Sequence, residues 1–344
     1  MRDIVLISYT SLNAGGGVPR WNRDFIAGFP GTKHYSFDDV ARANPGFSIN
    51  PPEWDRAHIL NQWLIWSKKI KKSDIIIVDG FWGLGLDGYN VISIAHGIWS
   101  HLTKDDVDAG KQPEFPVHNT IQVKYRRDHL ARGGKIVAVS DFISEQMLLQ
   151  WGFTSTVINN AIDLDKFKPS QVFSDQPRKP LIIHGVTTAN KGFDHIDAVK
   201  KAVPQADVLL LDDAAEALRC GKYEALAQAD LVVQPSAYEG NSYFVLETLA
   251  CDVPIIAYNV GLLYSISRIC KCAGDKEHCC IGSVIDRKLR SPEITARQTK
   301  FILESVLRDR SPYNPRHVAE KFSIQKFHTQ WKGYLKDYER NLKG

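Results

Sequence analysis

Short apolar runs alternate with amphipathic segments along most of the chain. An apolar run of about four to eight residues that ends in Gly, Pro or polar turn residues is typical of a buried parallel strand. On this pattern we predict strands at residues 2–8, 74–79, 91–95, 135–139, 156–158, 181–184, 207–211, 231–233 and 254–257. The helical spacing of apolar positions predicts helices at 19–29, 58–72, 125–133, 222–228, 243–251, 291–309 and 322–342, and another that begins at Ser140 or Asp141.

The strand–helix alternation runs through the chain twice, with a polar segment between the two halves. Residues 165–179 contain Pro169 and Pro177 and are interpreted as a linker. A chain of 344 residues also favours two domains over one. We therefore predict an α/β fold with two Rossmann-like, doubly wound domains that face a cleft. The predicted bounds are 1–168 and 178–320, followed by a C-terminal helix at 321–344.

One segment departs from the alternation. Residues 31–56 are rich in Pro, Gly and Asn, and we expect them to be irregular. Loops of this kind often carry binding residues, so this segment is a candidate for ligand contact.

Composition narrows the range of partners and compartments. The net charge of +4 is only mildly basic, and no basic tail, zinc finger or RNA-binding signature is present, so we expect no nucleic-acid partner. No apolar stretch approaches the roughly 20 residues that a membrane-spanning helix needs. The N-terminus lacks the apolar core and cleavage site of a secretory signal. We expect a cytoplasmic protein or one that is peripheral at a membrane.

The predicted helix at 58–72 leaves two interpretations of its aromatic and basic residues. Trp63 and Trp66 precede four lysines within six positions, a pattern that suits contact with an anionic membrane surface. The alternative is that the tryptophans pack into a core while the lysines remain solvated.

Four of the six cysteines are clustered. Cys220 and Cys251 lie in apolar, helix-like contexts and are expected to be buried thiols. The others lie close together beside His278, and three interpretations stay open: a zinc site, one or two disulfides, or unpaired surface thiols. The clustered residues are Cys270, Cys272, Cys279 and Cys280.

The stretch from Ala229 to Ala257, ADLVVQPSAYEGNSYFVLETLACDVPIIA, carries the richest chemistry. It predicts a strand, a loop, a helix and a second strand, with the loop at the carboxyl end of the first strand. Ligands of open α/β sheets bind at that edge. The backbone N–H groups at the helix N-terminus suit a phosphate or a sugar hydroxyl. Glu239 and Glu247 lie on either side of this N-terminus, and a carboxylate is a natural acceptor for a vicinal diol.

The order AD…PS.YEG…..ETLAC..P.IA in this stretch resembles the donor-site signature of retaining glycosyltransferases of family 4, which have the GT-B fold. The resemblance implies transfer of a hexose or pentose from a nucleotide-sugar donor to a hydroxyl of a glycan, glycolipid or glycoprotein acceptor. It implies retention of anomeric configuration and no metal or other cofactor. It also implies that the first domain binds the acceptor, that the second binds the nucleotide-sugar donor, and that the C-terminal helix crosses back to the first domain.

The resemblance assigns roles to residues in both halves of the chain. It implies that Glu239 and His96 are the catalytic residues. Glu239 is expected to contact the transferred sugar near its reacting carbon, and His96, directly after a predicted strand, to be a sugar or acceptor ligand. We expect Glu247 to hold the ribose hydroxyls. Groups expected at the donor phosphates are the Gly16–Gly17 loop, Thr187, Lys191 and the segment Asn241, Ser242, Tyr243 and Phe244.

One departure from the family pattern concerns the charge at the donor phosphates. The family has an Arg and a Lys in this loop, whereas this chain has Val186 at the Arg position. Thr187, Thr188 or a cation from elsewhere such as Arg20 are candidates to compensate. Two alternatives to a transferase therefore remain: a non-catalytic nucleotide- or sugar-binding GT-B protein, and a nucleotide-sugar epimerase.

Overall fold

The computed structural model describes residues 2–44, 51–98, 116–170, 178–185, 191–269 and 280–342, with the backbone alone for 267–269. The chain divides into two compact units. One comprises Met1–Asn160 with Phe327–Gly344, and the other comprises Ala161–Lys326. The clustered Cys270, Cys272 and Cys279, with His278, lie outside the described residues, as do Val186, Thr187 and Thr188.

The first unit is built on a parallel sheet of six strands in the order β2-β1-β3-β4-β5-β6. The strands are β1 (Ile4–Ser8), β2 (Lys33–Ser36), β3 (Ile75–Asp79), β4 (Asn90–Ala95), β5 (Lys135–Ala138) and β6 (Thr156–Val157). The helices are α1 (Gly17–Gly28), α2 (Phe37–Ala43), α3 (Glu53–Trp66), α4 (Pro116–Ala131) and α5 (Asp141–Trp151).

The second unit has a parallel sheet of five strands in the order β11-β10-β9-β7-β8. The strands are β7 (Leu181–His184), β8 (Asp207–Leu210), β9 (Leu231–Gln234), β10 (Ile255–Tyr258) and β11 (Gly282–Ile285). The helices are α6 (Ile196–Ala202), α7 (Leu211–Ala217), α8 (Lys222–Ala227), α9 (Tyr243–Ala250), α10 (Leu262–Ile269), α11 (Pro292–Arg308) and α12 (Arg316–Ala319). The chain ends in α13 (Ile324–Asn341).

Each sheet has one point where the order of its strands reverses. In the first unit the reversal lies between β1 and β3, and in the second it lies between β7 and β9. The loops after these two strands leave in opposite directions, which opens a crevice at the carboxyl ends where ligands of doubly wound sheets bind. The topology therefore marks one candidate ligand edge in each unit.

The C-terminal helix packs on the first unit through aromatic side chains. Trp331 is fully buried, with its ring centroid 5.6 Å from that of Trp21 and 5.1 Å from that of Phe25. Aromatic residues at this spacing combine a large buried area with favourable edge-to-face geometry. The expected return of the C-terminal helix to the first domain is confirmed.

The prediction that residues 31–56 are irregular is wrong. They contain β2, α2 and the start of α3. The hydrophobic pattern did not predict the strand β2, with sequence KHYS, because it is an edge strand with half-exposed polar residues and no apolar run. The helix α2 begins with a capping box in which Asp39 Oδ2 accepts a hydrogen bond from the Ser36 backbone N–H at 2.7 Å.

The prediction of a helix at 58–72 is wrong at both ends. The helix α3 begins five residues earlier and ends at Trp66, shortly before Lys68 takes the left-handed backbone conformation with φ +54°. Trp63 packs against the core of the first unit, whereas Trp66 is 78% exposed. None of the helices in the described ranges has the length and apolar character that crossing a bilayer requires.

Two other boundaries also differ from the predictions. The helix predicted at 125–133 begins at Pro116. The strand predicted at 207–211 ends at Leu210. Asp212 and Asp213 lie in the first turn of α7, where acidic side chains interact favourably with the helix dipole.

The start of α11 supplies a stability prediction. Ser291 is its N-cap, and Ser291 Oγ accepts a hydrogen bond from the Ile294 backbone N–H at 3.2 Å. We expect Ser291→Ala to lower the free energy of unfolding by about 1 kcal/mol, because a helix N–H loses its partner. Chemical denaturation measures the change. Ser291→Thr keeps the acceptor oxygen and should restore most of the loss; equal losses in both variants would contradict the capping role.

Candidate active site

The strand reversal of the second unit brings the end of β7 against the start of α9. Gly185 follows β7, and a Cβ atom at this position would lie 2.1 Å from Phe244 Cε1 and 2.3 Å from Gln234 Oε1. Only glycine fits this space, because such contacts are shorter than any side chain tolerates. The chain after β7 is thus held close to the chain after β9.

At this edge a lysine and a glutamate from two separate loops form an ion pair. Lys191 Nζ lies 2.7 Å from Glu239 Oε2 and 3.5 Å from the Tyr238 carbonyl oxygen. The Lys191 side chain is 35% exposed and that of Glu239 is 12% exposed. A partly exposed cation at the carboxyl edge of a sheet is well placed to meet an anionic ligand.

The Glu239 carboxylate is fixed on its other oxygen as well. Glu239 Oε1 accepts hydrogen bonds from Ser236 Oγ at 2.9 Å and from Gln234 Nε2 at 3.1 Å. The backbone of Gly261 also lies against this residue, because a Cβ there would come within 2.9 Å of Glu239 Cβ. Gly261 has φ +56°, which glycine adopts without strain. Both the position and the orientation of the carboxylate are therefore set before any ligand binds.

A second cation, Arg290, reaches the same edge. Arg290 Nε donates to the Pro235 carbonyl oxygen at 3.0 Å, and Arg290 Nη2 lies 3.4 Å from Asp194 Oδ1. Gly192, beside Lys191, packs on the same proline: a Cβ there would lie 2.6 Å from the Pro235 carbonyl oxygen. Arg290 thus ties the loop after β9 to the segment that follows Lys191.

The helix α9 presents its N-terminus at this edge. Ser242 is the N-cap, with its Oγ accepting from the Val245 N–H at 3.4 Å. Asn241 and Tyr243 are buried, and Phe244 is partly buried against Gly185. Bare N–H groups at a helix N-terminus, together with the helix dipole, favour an anion.

Glu247 lies further along α9 and is nearly buried. Burial, followed by the charge of Glu247, raises the pKa of the Cys251 thiol to about 12. Cys251 is therefore a neutral thiol at physiological pH, and the Glu247 carboxylate lies close enough to influence it.

The last residue of β7, His184, is a buried neutral base under the same edge. It is fully buried, and neither ring nitrogen has a hydrogen-bond partner in the described part of the chain. Burial, with a contribution from the positive form of His195, lowers the pKa of His184 to about 4. His195 Nδ1 pairs with Thr295 Oγ1 at 2.8 Å.

In the first unit, the glycine loop precedes α1. Gly16 is the N-cap of α1 with φ +103° and ψ 177°, a conformation that is essentially restricted to glycine. A Cβ on Gly16 would meet no atom within 4 Å, so the backbone here is open to a ligand. Gly17 begins the helix, and Arg23 Nη1 donates to the Leu12 and Ala14 carbonyl oxygens, which holds the loop.

His96 lies after β4 and pairs with an aspartate at the end of β3. His96 Nε2 lies 3.0 Å from Asp79 Oδ1, and the side chains are 17% and 4% exposed. The Trp21 ring packs against the imidazole in a T-shaped arrangement, with the two ring centroids 5.4 Å apart. The carboxylate and the indole together fix the orientation of the imidazole. Arg20, the candidate to replace a cation at position 186, lies in this unit with Arg20 Nε 4.0 Å from Asp24 Oδ2.

Solved structures resemble this chain over nearly its whole length. Sucrose-phosphate synthase from Thermosynechococcus elongatus matches with a TM-score of 0.75 and 15% identity, covering 99% of this chain and 100% of that one. HepE of Anabaena, solved in complex with UDP-glucose, matches with a TM-score of 0.67 and 15% identity, covering 97% of this chain and 99% of that one. WaaG, a glycosyltransferase involved in lipopolysaccharide biosynthesis, matches with a TM-score of 0.66 and 13% identity, covering 95% of this chain and 98% of that one. This chain has the GT-B fold. No family model and no curated protein sequence matches it.

Within this GT-B chain, the structure brings some of the predicted site residues together. Lys191 and Glu239 meet directly, and Phe244 packs against Gly185 at the end of β7. Gly16, Gly17 and His96 belong to the first unit. Thr187 lies outside the described residues.

Sequence reasoning missed Asp79, Gln234, Ser236 and Arg290. An aspartate at the carboxyl end of a buried strand was a usable signal for Asp79, because that edge is where ligands bind. Arg290 had no local signal, since it is far from the site in sequence and reaches it only through the fold. No group of three His, Cys, Asp or Glu residues suited to a metal occurs in the described ranges.

Proposed function

We propose that this chain is a glycosyltransferase that moves a sugar from a nucleotide-sugar donor to a hydroxyl of a carbohydrate or glycoconjugate acceptor. The observation that carries the proposal is the Lys191–Glu239 pair at the strand reversal of the second unit of a GT-B fold. The proposal covers donors that carry a hexose and donors that carry a pentose. HepE, of the same fold, was solved with UDP-glucose.

The second unit supplies the groups that donor chemistry needs. As the glycosidic bond breaks, negative charge develops on the leaving diphosphate, and preorganised cations and N–H dipoles stabilise it. We assign this role to Lys191 and to the backbone from Asn241 to Phe244 at the start of α9. These groups stabilise the charge without a metal ion.

The two glutamates divide the recognition of the donor. Glu239, held by Ser236, Gln234 and Lys191, contacts the transferred sugar and fixes its orientation. Glu247 accepts hydrogen bonds from the ribose hydroxyls. The resemblance of residues 229–257 to the donor-site signature of family 4 supports transfer with retention of anomeric configuration.

The first unit offers two further groups to substrates. The open backbone at Gly16 and Gly17 suits an anion or a hydroxyl at the start of α1. His96 donates or accepts one hydrogen bond through Nδ1, because Asp79 engages Nε2. We assign His96 as a sugar or acceptor ligand.

A second candidate function is non-catalytic binding of a nucleotide or sugar. Val186 at the position where the family has an arginine favours this alternative, because it leaves one cation fewer for the donor phosphates. The two functions differ in turnover, because only an enzyme consumes the nucleotide sugar.

A thermal-shift panel tests the proposal. We expect one nucleotide class among UDP, GDP, ADP and their sugar conjugates to stabilise the protein equally with EDTA and with Mg²⁺. A ligand that binds only the native state at 100 times its Kd adds roughly 2.7 kcal/mol. The sugar conjugate of that class should then be consumed when an acceptor is added. Binding without turnover across an acceptor panel would favour the second candidate. The absence of any shift would contradict the transferase and would leave only a sugar-binding protein.

A further inference from the structure

The first unit contains a cavity of about 420 Å³ at its own strand reversal. Tyr9 directly follows β1, and Trp82 follows β3, so the cavity opens where the loops after these neighbouring strands separate. Its size falls within the roughly 300–1,000 Å³ that is usual for small-molecule sites. The topology and the cavity thus independently mark the same place.

Two aromatic rings line the cavity with accessible surface. Tyr9 is 41% exposed, and Trp54, at the start of α3, is partly buried, with its ring centroid 5.8 Å from that of His118 in a T-shaped arrangement. Aromatic rings present a flat apolar surface at low entropic cost, because each side chain has only two rotatable bonds. The C–H-bearing face of a pyranose ring packs on such a surface.

A carboxylate at the same cavity is held in place by two side chains. Glu53 Oε1 accepts a hydrogen bond from Trp82 Nε1 at 3.1 Å, and Glu53 Oε2 lies 3.5 Å from His118 Nε2. The Glu53 side chain remains 29% exposed. Each carboxylate oxygen has two lone pairs, so acceptor capacity is left for ligand hydroxyl groups.

The charges around the cavity favour a neutral ligand. Burial, followed by the charges of Asp79 and Glu53, raises the pKa of Tyr9, so its hydroxyl stays protonated as a donor and acceptor. Among the described residues of the lining the arginine is Arg56, which donates from Nε to the Pro51 carbonyl oxygen at 2.8 Å and places its guanidinium 5.7 Å from the Phe37 ring centroid. Two carboxylates near Tyr9 oppose a phosphate, while Glu53 makes a purely apolar ligand costly.

From this arrangement we propose that the cavity binds a pyranose ring of a neutral saccharide, stacked on Tyr9 and Trp54 and hydrogen-bonded to Glu53. The inference deepens the proposed function, on which it rests, by naming the class of acceptor: a neutral glycan end. Trp82 and His118 act as positioning residues for the carboxylate.

Saturation-transfer NMR on the full chain tests the pocket without requiring turnover. The probes are the methyl glycosides of glucose, galactose and mannose, with maltose and cellobiose. We expect ring protons of at least one probe to receive saturation from the protein. The affinity for that probe should fall at least tenfold in Trp54→Ala, in Tyr9→Ala and in Glu53→Gln. Trp66→Ala is the matched control, because Trp66 lies on the same helix, is 78% exposed and lies outside the cavity, and it should bind as the parent does.

The outcomes separate this inference from the proposed function. Absence of saturation transfer to every probe, or affinity that survives both Tyr9→Ala and Glu53→Gln, would overturn the saccharide pocket. Because Tyr9 is 41% exposed, Tyr9→Ala should fold, and it therefore tests the pocket even if Trp54→Ala fails to fold. A nucleotide-induced thermal shift without saccharide binding would overturn the pocket alone. Saccharide binding that depends on Tyr9 and Glu53 without any nucleotide effect would support the pocket and contradict the transferase.

Discussion

Exchange of Lys191 for Gln is expected to lower kcat/KM for the nucleotide-sugar reaction by about 10²- to 10³-fold. Lys191 is the cation whose ammonium group lies 2.7 Å from Glu239, at the edge where we place the leaving diphosphate. Gln keeps a polar group of similar length and removes the positive charge. The loss should fall mainly on kcat, because charge on the leaving group is greatest in the transition state.

Steady-state kinetics with the nucleotide sugar identified by thermal shift measures the effect. Lys179→Gln is the matched control: it removes a lysine from the same unit that is 67% exposed and lies 3.5 Å from Asp207. We expect that control to keep parental kinetics. A Lys191→Gln variant with unchanged kcat and a raised KM would assign Lys191 to binding that is equally strong in the ground state and the transition state. Unchanged values for both parameters would remove it from the site.

His184 is expected to make the second unit lose about 3 kcal/mol of stability as the pH falls. The pKa of His184 is about 4 in the folded chain, below the ordinary value of 6.5, because the imidazole is buried. As the pH falls below about 6.5, the unfolded chain binds a proton that the folded chain does not. The stabilisation is therefore complete above that pH, declines between about pH 6.5 and pH 4, and changes no further below it.

Urea unfolding at a series of pH values, compared between the parent and His184→Leu, tests this assignment. Leu fills a similar volume and has no proton to bind, and the His184 ring nitrogens have no hydrogen-bond partner in the described residues to lose. Between about pH 8 and pH 5 we expect the variant to lose about 2 kcal/mol less than the parent. His317→Gln, at a partly exposed position in the same unit, should follow the parent. Parallel curves for the parent and His184→Leu would refute the assignment.

Local patterns were sufficient for most elements of the sheets. The strands β1, β3 and β7 are continuous apolar runs because both faces of a parallel sheet are covered, and such a run is visible without any tertiary information. The edge strand β2 was invisible for the opposite reason, since its half-exposed sequence KHYS carries no apolar run. Helix boundaries failed where a cap or a backbone conformation decided them, as at Lys68 after α3.

In the candidate site, too, some features follow from the local sequence and others only from the tertiary structure. The sequence by itself determined that Glu239 follows a buried strand and precedes a helix, because these are neighbours along the chain, and it placed Lys191 in the loop after another strand. That Lys191 meets Glu239, and that Arg290 reaches the Pro235 carbonyl oxygen, was decided by the tertiary structure. Contacts between distant segments depend on the strand order β9-β7-β8, and no local propensity encodes that order.

The cavity of the first unit was decided by tertiary structure almost entirely. Tyr9, Glu53, Trp82 and His118 come from four separate segments, and of these only the segment with Glu53 was a candidate for ligand contact in the sequence. The pairing of β1 with β3 and the packing of α3 bring them together, because burial of the apolar faces of these elements fixes where their polar ends emerge. The sequence thus determined most of the strands and helices and the chemistry available at each loop, although it missed β2 and β11. The tertiary structure decided which of those groups converge.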